Sequence, residues 1–334
     1  VNNVPKDVTD NSITGLSPET YTVRLEKTGY HTWEKEVEVA AGEVSNVQAL
    51  LISSFPEIKP LSITGARNPK MSPDEQKIIY IARQSATRND EASSGIWLMD
   101  LAGRPFNILS APKLILADTA TVEYSSGAIQ WGADSESLLI DMPNETSYLL
   151  NTGNEDLTTL TPAERTALLE EWQLKQEEDL ALTEEQFTNE IRALLPPEDK
   201  NPVWSPDETK VLYTEENDGQ IEYKILDLRP EEYKGIAKSE SDTKLYSAMS
   251  VSTDQNNTIR WYPDSRHLIM FEESSENIGQ ISIVEIEGTN RTSLFSGRVI
   301  DGETFPHPDG SKVIFLTNFT TSDDQNNLYS LSVY

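Results

Sequence analysis

The stretch Trp204-Ser205-Pro206-Asp207-Glu208, with the apolar strand Lys210-Val211-Leu212-Tyr213 directly behind it, decides the fold because it recurs along the chain. A proline at the first central position of a turn presets φ, and an aspartate satisfies the turn amides. The motif therefore predicts a hairpin turn between two strands. The four other copies read Met71-Ser72-Pro73-Asp74-Glu75, Trp131-Gly132-Ala133-Asp134-Ser135, Trp261-Tyr262-Pro263-Asp264-Ser265 and Pro306-His307-Pro308-Asp309-Gly310.

Each copy is followed by two apolar strands, as Lys77 to Ile81 and Gly95 to Leu101 follow the first copy. The motif aspartates recur at intervals of 60, 73, 57 and 45 residues, which leaves room for about four short strands per unit. A ring of blades needs one such turn per blade and lets each blade bury both faces against its neighbours. We therefore predict a mainly β fold with a β-propeller of about five blades. The aspartates predicted to be structural turn residues are Asp74, Asp134, Asp207, Asp264 and Asp309.

Closure of the ring is a separate expectation, because an open propeller would expose an edge strand. The fifth copy ends just after its second strand, at the end of the sequence, whereas residues 58–64 precede the first copy. We expect the 58–64 segment to supply the outer strand of the last blade.

A smaller unit precedes the repeats. Apolar and polar residues alternate over Tyr21 to Leu25, Trp33 to Val39 and Val44 to Leu50, which is typical of half-buried antiparallel strands. Gly29 and Gly42 lie between these segments, where turns favour residues that tolerate positive φ. The pattern predicts a small β-sandwich over residues 1–54, followed by the propeller over residues 55–334.

The interval between the second and third copies is the longest, and its additional residues have helical periodicity. Thr161-Pro162-Ala163-Glu164 is a capping box with proline at the first helical position, and it predicts a helix to about Glu178. Thr183 is expected to start a second helix that ends before Pro196. We therefore predict an inserted α-helical hairpin over residues 161–197. It contains nine acidic and three basic residues.

Two interpretations of this insertion remain open. It can be a docking arm whose partner contacts include Trp172, Phe187, Glu170 and Glu171, because insertions on rigid scaffolds often carry specific contacts. Alternatively, it covers one blade, and its two aromatic side chains are used in packing.

Two resemblances follow from these motifs. The pattern Trp-Ser-Pro-Asp-Gly, an apolar strand and a second strand looks like the TolB-type, WD40-like propeller repeat over about residues 58–334; the second copy lacks the proline and the fifth lacks the Trp. The run from Ile13 to Val23, then Lys27-Thr28-Gly29-Tyr30 and Ala41-Gly42-Glu43, resembles a PEGA domain, although Glu19 stands where that family usually has Gly. The resemblance implies a bacterial surface protein with an N-terminal membrane helix and no known catalytic residues at these positions.

Composition excludes several functions. The 334-residue chain has 56 acidic and 27 basic residues and a net charge of −29, which argues against nucleic acid or anionic lipid as a partner. It has no Cys and three His, so thiolate chemistry and multi-His metal sites are excluded. Its apolar stretches are far shorter than the ~20 residues that cross a bilayer, so we expect any membrane anchor to lie upstream of Val1.

Known catalytic and metal motifs are also missing from the sequence. No Gly-x-Ser-x-Gly, P-loop or dinucleotide motif occurs, and His31, His267 and His307 lie in strand or turn contexts, so a Ser-His-Asp hydrolase is not expected. No cofactor is predicted. Ca²⁺ is the one ion left open, at the acidic loops 252–257 and 322–327.

These observations favour a non-enzymatic, extracytoplasmic bacterial surface protein. In this interpretation the PEGA-like domain is a stalk and the propeller is a platform for a protein or an envelope glycan. One alternative is a five-bladed glycosidase, which would require two or three carboxylates on the innermost strands, about 5 to 10 Å apart. Another is a structural component of a surface layer.

Overall fold

The computed structural model describes residues 1–2, 9, 11–42, 44–63, 65–82, 94–102, 111–229, 237–318 and 325–334. The first domain contains the antiparallel strands β1 (Glu19–Leu25) and β2 (Trp33–Val39). The turn between them includes Gly29, which adopts a φ of +84°. The predicted third strand, Val44 to Leu50, forms no strand in the described residues, because this largely exposed segment pairs with neither β1 nor β2. In place of the predicted sandwich, the described residues of the first domain contain one two-stranded sheet.

The rest of the described chain contains five four-stranded antiparallel sheets. The strands of the first three are β4 (Arg67–Met71), β5 (Lys77–Ala82), β6 (Gly95–Asp100), β7 (Lys113–Ala117); β8 (Ala128–Trp131), β9 (Ser137–Asp141), β10 (Ser147–Asn151), β11 (Leu157–Leu160); and β12 (Val203–Trp204), β13 (Lys210–Asn217), β14 (Gln220–Asp227), β15 (Lys244–Ser252). The last two consist of β16 (Thr258–Trp261), β17 (His267–Ser275), β18 (Ile278–Glu285), β19 (Thr292–Arg298); and β20 (Thr304–Pro306), β21 (Lys312–Thr317), β22 (Asn327–Ser332), β3 (Ile58–Pro60).

The fifth sheet confirms the predicted closure of the ring. Strand β3, from the beginning of the propeller, pairs with β22 near the end of the chain, with Lys59 opposite Ser330. Thr64, the last residue of the predicted closing segment, lies outside the described residues. Each sheet is therefore a blade of four strands, and the fold class predicted from the repeats is confirmed.

The first strands of neighbouring blades contact one another, which places them around the propeller axis. The Trp131 indole donates to the carbonyl oxygen of Lys70 at 3.1 Å, and the Trp261 indole donates to that of Val203 at 2.9 Å. The tryptophan of a repeat thus fixes the preceding blade through a main-chain acceptor. Such a bond satisfies a buried indole N–H, as a buried polar group requires.

Apolar clusters between blades form the core. They join the first blade to the second, the third to the fourth, the fourth to the fifth and the fifth to the first. The fifth cluster instead joins the third blade to the insertion, where Phe187 and Ile191 pack on Tyr213 and Leu226. The insertion therefore covers apolar side chains of the third blade, which is the blade that follows it in the sequence.

The insertion begins with α1 (Pro162–Glu185) and continues with the short α2 (Asn189–Arg192). The predicted capping box is present: Thr161 accepts from the amide of Glu164, and the Glu164 carboxylate accepts from that of Thr161. The predicted end near Glu178 is wrong, since no Gly or Pro interrupts the chain there and α1 continues for two more turns. Single 3₁₀ turns occupy Tyr124–Ser126, Glu198–Lys200, Glu240–Asp242 and Ile300–Gly302.

Candidate functional site

The aspartates of the repeat motif are engaged in their own turns. In all five, the carboxylate accepts the backbone N–H two residues ahead, at 2.8 to 3.2 Å. The residue after each aspartate has a positive φ, from 55° to 72°. Burial alone would raise the pKa of Asp134 and Asp207, but hydrogen bonds within the turns hold both pKa values below the ordinary range. Carboxylates held this way are poorly placed for chemistry.

The two aromatic residues of the predicted docking arm are buried. Trp172, the buried residue of α1, packs over the second blade's turn: a Cβ at Gly132 would lie 2.7 Å from its ring. Phe187 stacks on Trp204 with ring centroids 5.8 Å apart. Both side chains are used in packing, as in the alternative interpretation of the insertion. They do not provide a free surface for a partner.

A bidentate ion pair fixes the beginning of α1. Arg165 donates through Nε and Nη2 to the two carboxylate oxygens of Asp141, at 2.8 and 2.7 Å. These hydrogen bonds hold the pKa of Asp141 below its usual range. The helix is thus attached to the second blade near its first turns, and the chain after it is attached to the third blade through Phe187.

Between these attachments the helix is exposed. Every residue from 173 to 182 is solvent-exposed, and so are Glu170 and Glu171. Leu174 and Leu182 are 56% and 65% accessible. A hollow of about 320 Å³ next to this segment is lined by Glu171, Trp172, Leu174, Lys175, Glu178 and the second blade's turn. The two predicted acidic contact residues are therefore accessible, and their binding of a partner stays a prediction.

The glutamates of α1 follow a seven-residue spacing that the sequence analysis missed. Six of its seven glutamates form three adjacent pairs, namely Glu170 and Glu171, Glu177 and Glu178, and Glu184 and Glu185. Seven residues return to the same helix face within about 20° and advance by about 10.5 Å. The outward face of α1 therefore carries an acidic ladder, with Leu174 and Ala181 between its steps.

A second candidate region lies around the propeller axis. In each blade, the residue directly before the motif occupies an equivalent place on the innermost strand or at its edge. We call these five residues the collar. They are Lys70, Gln130, Val203, Arg260 and Phe305. The five innermost strands contain no Asp or Glu, so the carboxylates that the glycosidase alternative requires on these strands are not there.

Two glutamates lie close to the collar but outside those strands. The Arg260 guanidinium has Nη2 3.5 Å from Oε2 of Glu303 and lies over the ring of Phe305, 4.8 Å from the centroid. Partial desolvation raises the pKa of the half-buried Glu303 and of the exposed Glu75, while the charge of Arg260 opposes both shifts. Arg260 is thus the shared electrostatic neighbour of the two carboxyls.

A buried carboxylate joins the first domain to the fourth blade. Glu285 is 4% accessible; it accepts from the Trp33 indole at 2.5 Å and from the Lys35 ammonium at 3.1 Å. Thr289 and Asn290 donate to the same carboxylate, each at 3.0 Å. Sequence patterns gave no indication of this contact, because Trp33 and Glu285 are 252 residues apart.

The histidines and acidic loops do not form a metal site in the described part of the chain. His267 and His307 each pair with the aspartate of their own turn, at 2.7 Å. Among the described residues, no three His, Asp or Glu side chains are grouped closely enough to hold a metal ion. Of the loops considered for Ca²⁺, 252–257 is described, whereas residues 322–324 of the second lie outside the described residues.

Together these features describe a small two-stranded β unit followed by a five-bladed propeller that carries a helical insertion. Residues 8–53 match the PEGA domain, which confirms the resemblance inferred for the first domain. A comparison with curated proteins found no similar sequence. None of the described helices is long and apolar enough to cross a bilayer.

Solved structures with a similar fold include TolB. The chain is 13% identical to TolB from Acinetobacter baumannii, with a TM-score of 0.27, and the match covers 94% of this chain and 63% of that one. A structure described as TolB from Agrobacterium tumefaciens is 12% identical, with a TM-score of 0.27 and coverage of 94% and 86%. An oligogalacturonate lyase in complex with manganese is 12% identical, with a TM-score of 0.26 and coverage of 83% and 93%.

Proposed function

We propose that this chain is a non-enzymatic extracytoplasmic protein whose propeller presents helix α1 to a protein partner. The PEGA domain supports the extracytoplasmic location and serves as a stalk on the propeller. Its buried contact through Glu285 keeps the stalk and the propeller in one fixed arrangement. A platform needs this rigidity, because a docking surface binds best when its geometry is set beforehand.

The observation that carries the proposal is the exposed segment 173–182 of α1, fixed at both ends and free of packing in between. A 24-residue helix with one buried side chain gains little stability from tertiary contacts there. Insertions of this kind, held by a rigid scaffold, commonly carry binding contacts.

The charge of α1 indicates what kind of partner fits. The acidic ladder presents a pair of carboxylates about every 10.5 Å along one face. Lys or Arg side chains at seven-residue spacing on a partner helix would meet these steps, as the charged flanks of paired helices do. We therefore favour a basic, helical protein segment over an envelope glycan, which would offer no matching cations.

The test replaces charge without disturbing the fold. Deleting residues 161–197 would also remove Phe187 and Ile191 from the third blade, so a loss of binding would be ambiguous. We propose instead a fourfold Glu→Gln variant of the ladder and a control variant with the same change in net charge elsewhere on exposed sites. The ladder variant changes Glu170, Glu171, Glu177 and Glu178, and the control changes Glu36, Glu38, Glu216 and Glu276.

A photo-crosslinker at Leu174 would identify the protein that contacts α1 in an envelope extract, and binding of that purified protein would then be measured. We expect the ladder variant to bind it at least about tenfold more weakly and the control to bind as the unmodified chain does. Raising the salt concentration should weaken only the part of the binding that depends on the acidic ladder. Equal binding by the two variants would remove α1 from the proposal.

A further inference from the structure

The collar carries a charge opposite to that of the whole protein. In a chain with 56 acidic and 27 basic residues, the charged residues of the five innermost strands are Arg67, Lys70 and Arg260, all basic. Basic side chains around the axis attract anionic ligands even on a protein of opposite net charge, and the nearby Glu75 and Glu303 offset part of that attraction while they are ionised. From this we propose that the collar is a binding site for a carboxylate group, held by Arg260 and Lys70.

Arg260 has unused hydrogen-bonding capacity. A guanidinium has five N–H donors, and among the described residues Arg260 makes one long polar contact, Nη2 to Glu303 at 3.5 Å. Its position over the Phe305 ring, 4.8 Å from the centroid, favours retention of the positive charge at this place. Its Nε is buried without a partner among the described residues, but the side chain is 42% accessible, so the exposed part of the guanidinium can receive a carboxylate.

Lys70 supplies the second cation. Its ammonium donates to the carbonyl oxygen of Ile129 on the neighbouring innermost strand, at 2.7 Å. An ammonium has three donors, so two remain. No carboxylate of the described residues forms an ion pair with it, and the residue is exposed. Lys70 and Arg260 are therefore the collar members that combine positive charge with free donors.

The two nearby glutamates make the site depend on pH. Glu75 faces Arg260 and Asp74, and Glu303 faces Arg260, Asp301 and Lys70. As carboxylates, both compete with a ligand for Arg260; once protonated, they no longer do. Because partial desolvation raises both pKa values, this competition ends at a higher pH than it would for ordinary glutamates. Binding of a carboxylate ligand should therefore strengthen as pH falls from neutral towards mildly acidic values.

Two sources of the carboxylate are distinguished by the choice of probe. The probes are acetyl-trialanine with a free C-terminal carboxylate, the same peptide as its C-terminal amide, and succinate as a free small acid. Binding is measured by titration calorimetry on the full chain at low ionic strength, at pH 5.5 and 7.5. A carboxylate site binds the free peptide at least about tenfold more tightly than the amide. Succinate binding equal to that of the peptide identifies a free acid as the natural kind of ligand, and weaker succinate binding identifies a chain end.

Variants assign the binding to the collar. Lys70→Gln and Arg260→Gln should each weaken binding of the peptide with the free carboxylate about fivefold to tenfold. Arg24→Gln, in the first domain, should leave the affinity for this peptide unchanged. Arg260→Lys keeps the charge but loses the planar fork, so its affinity should lie between those of Arg260→Gln and the unmodified chain. Lys70 is exposed, so its variant tests the site even if loss of Arg260 disturbs the packing on Phe305.

Several results would overturn the collar site. They are equal binding of the amide and the acid, equal losses in Arg24→Gln and Lys70→Gln, or no saturable binding of any probe. Affinity that is the same at both pH values would remove the role of Glu75 and Glu303. None of these results depends on α1, so this site and the proposed docking helix can fail separately.

Discussion

Glu285 shows how a single residue can join two domains. Burial alone would raise the pKa of this carboxyl, but hydrogen bonds from Trp33, Lys35 and Asn290 and the charge of Lys35 hold it below the ordinary value of 4.5. The carboxylate is therefore more stable in the folded protein than in the unfolded chain. A group with a lowered folded pKa contributes stability above its unfolded pKa, and that contribution is lost as pH falls.

We therefore expect the acid sensitivity of the protein to depend partly on Glu285. Glu285→Gln should lower the free energy of unfolding by about 1–3 kcal/mol at pH 7 and by less near pH 3, because the contribution of the ionised carboxylate declines once the pH falls below its unfolded pKa. Urea unfolding followed by tryptophan fluorescence at the two pH values measures this difference. Glu34→Gln, an exposed change on the same strand as Lys35, is the control. A loss that is equal at both pH values would show that packing, rather than ionisation, makes the contribution.

The recurrent aspartates and Glu285 differ in how far the sequence could indicate their roles. The aspartates act within a few residues of themselves, so their repetition identifies them as turn residues. Glu285 acts on residues about 250 positions away, and the first domain has no repeat that would point to the fourth blade. The collar lies between these cases: its residues precede the motif directly, yet their charge has meaning only once the blades surround an axis.

At the scale of elements, the insertion explains why the second repeat departs from the others. Gly132 stands where the other copies have Ser72, Ser205, Tyr262 and His307. Its φ lies outside the left-handed region, so the chain geometry does not require Gly. A Cβ there would lie 2.7 Å from the Trp172 ring and 2.8 Å from the Asp134 carboxylate. The glycine provides the space in which α1 lies against the second blade.

Gly132→Ala should therefore destabilise the protein by about 1–3 kcal/mol through overpacking. Gly153→Ala is the matched control, because the nearest atom to a Cβ there is the end of the Asn151 side chain, at 3.3 Å. Thermal unfolding of both variants gives the comparison. Combining Gly132→Ala with Trp172→Leu should recover part of the loss, since the smaller side chain vacates the space. If Gly132→Ala is as stable as the control, Trp172 does not fix the helix to this turn.

The elements predicted best were those with strong local signals. The repeat turns, the strands behind them and the capping box at Thr161 all depend on nearby residues, and the structure contains them. The end of the first helix was misplaced, because Thr183 resembles an N-cap but the residues around it are good helix formers. Val44 to Leu50 alternates like a strand but has no partner strand, and alternation alone cannot supply one.

At the scale of the whole molecule, stability depends on how the ring is closed. The five blades form a closed structure because β3 and β22 join the two ends of the propeller sequence. Ser62 strengthens the joint: it is 5% accessible, donates to Oδ1 of Asn327 at 3.1 Å and accepts from the amide of Leu328 at 2.9 Å. The repulsion within a chain of net charge −29 acts against this closure.

We expect Ser62→Ala to weaken the closure of the ring. The substitution leaves the buried Leu328 amide without its partner and removes one of the two donors to Oδ1 of Asn327, which keeps the Gly65 amide; this should cost about 1–3 kcal/mol. Opening at this joint exposes strand edges, so cleavage by a protease should accelerate with the loss of stability. Ser250→Ala is the control, since Ser250 is exposed and makes a 3.4 Å bond to Gln220. Added salt should restore part of the stability by screening the repulsion, and unchanged cleavage in Ser62→Ala would place the weakest point of the ring at another blade.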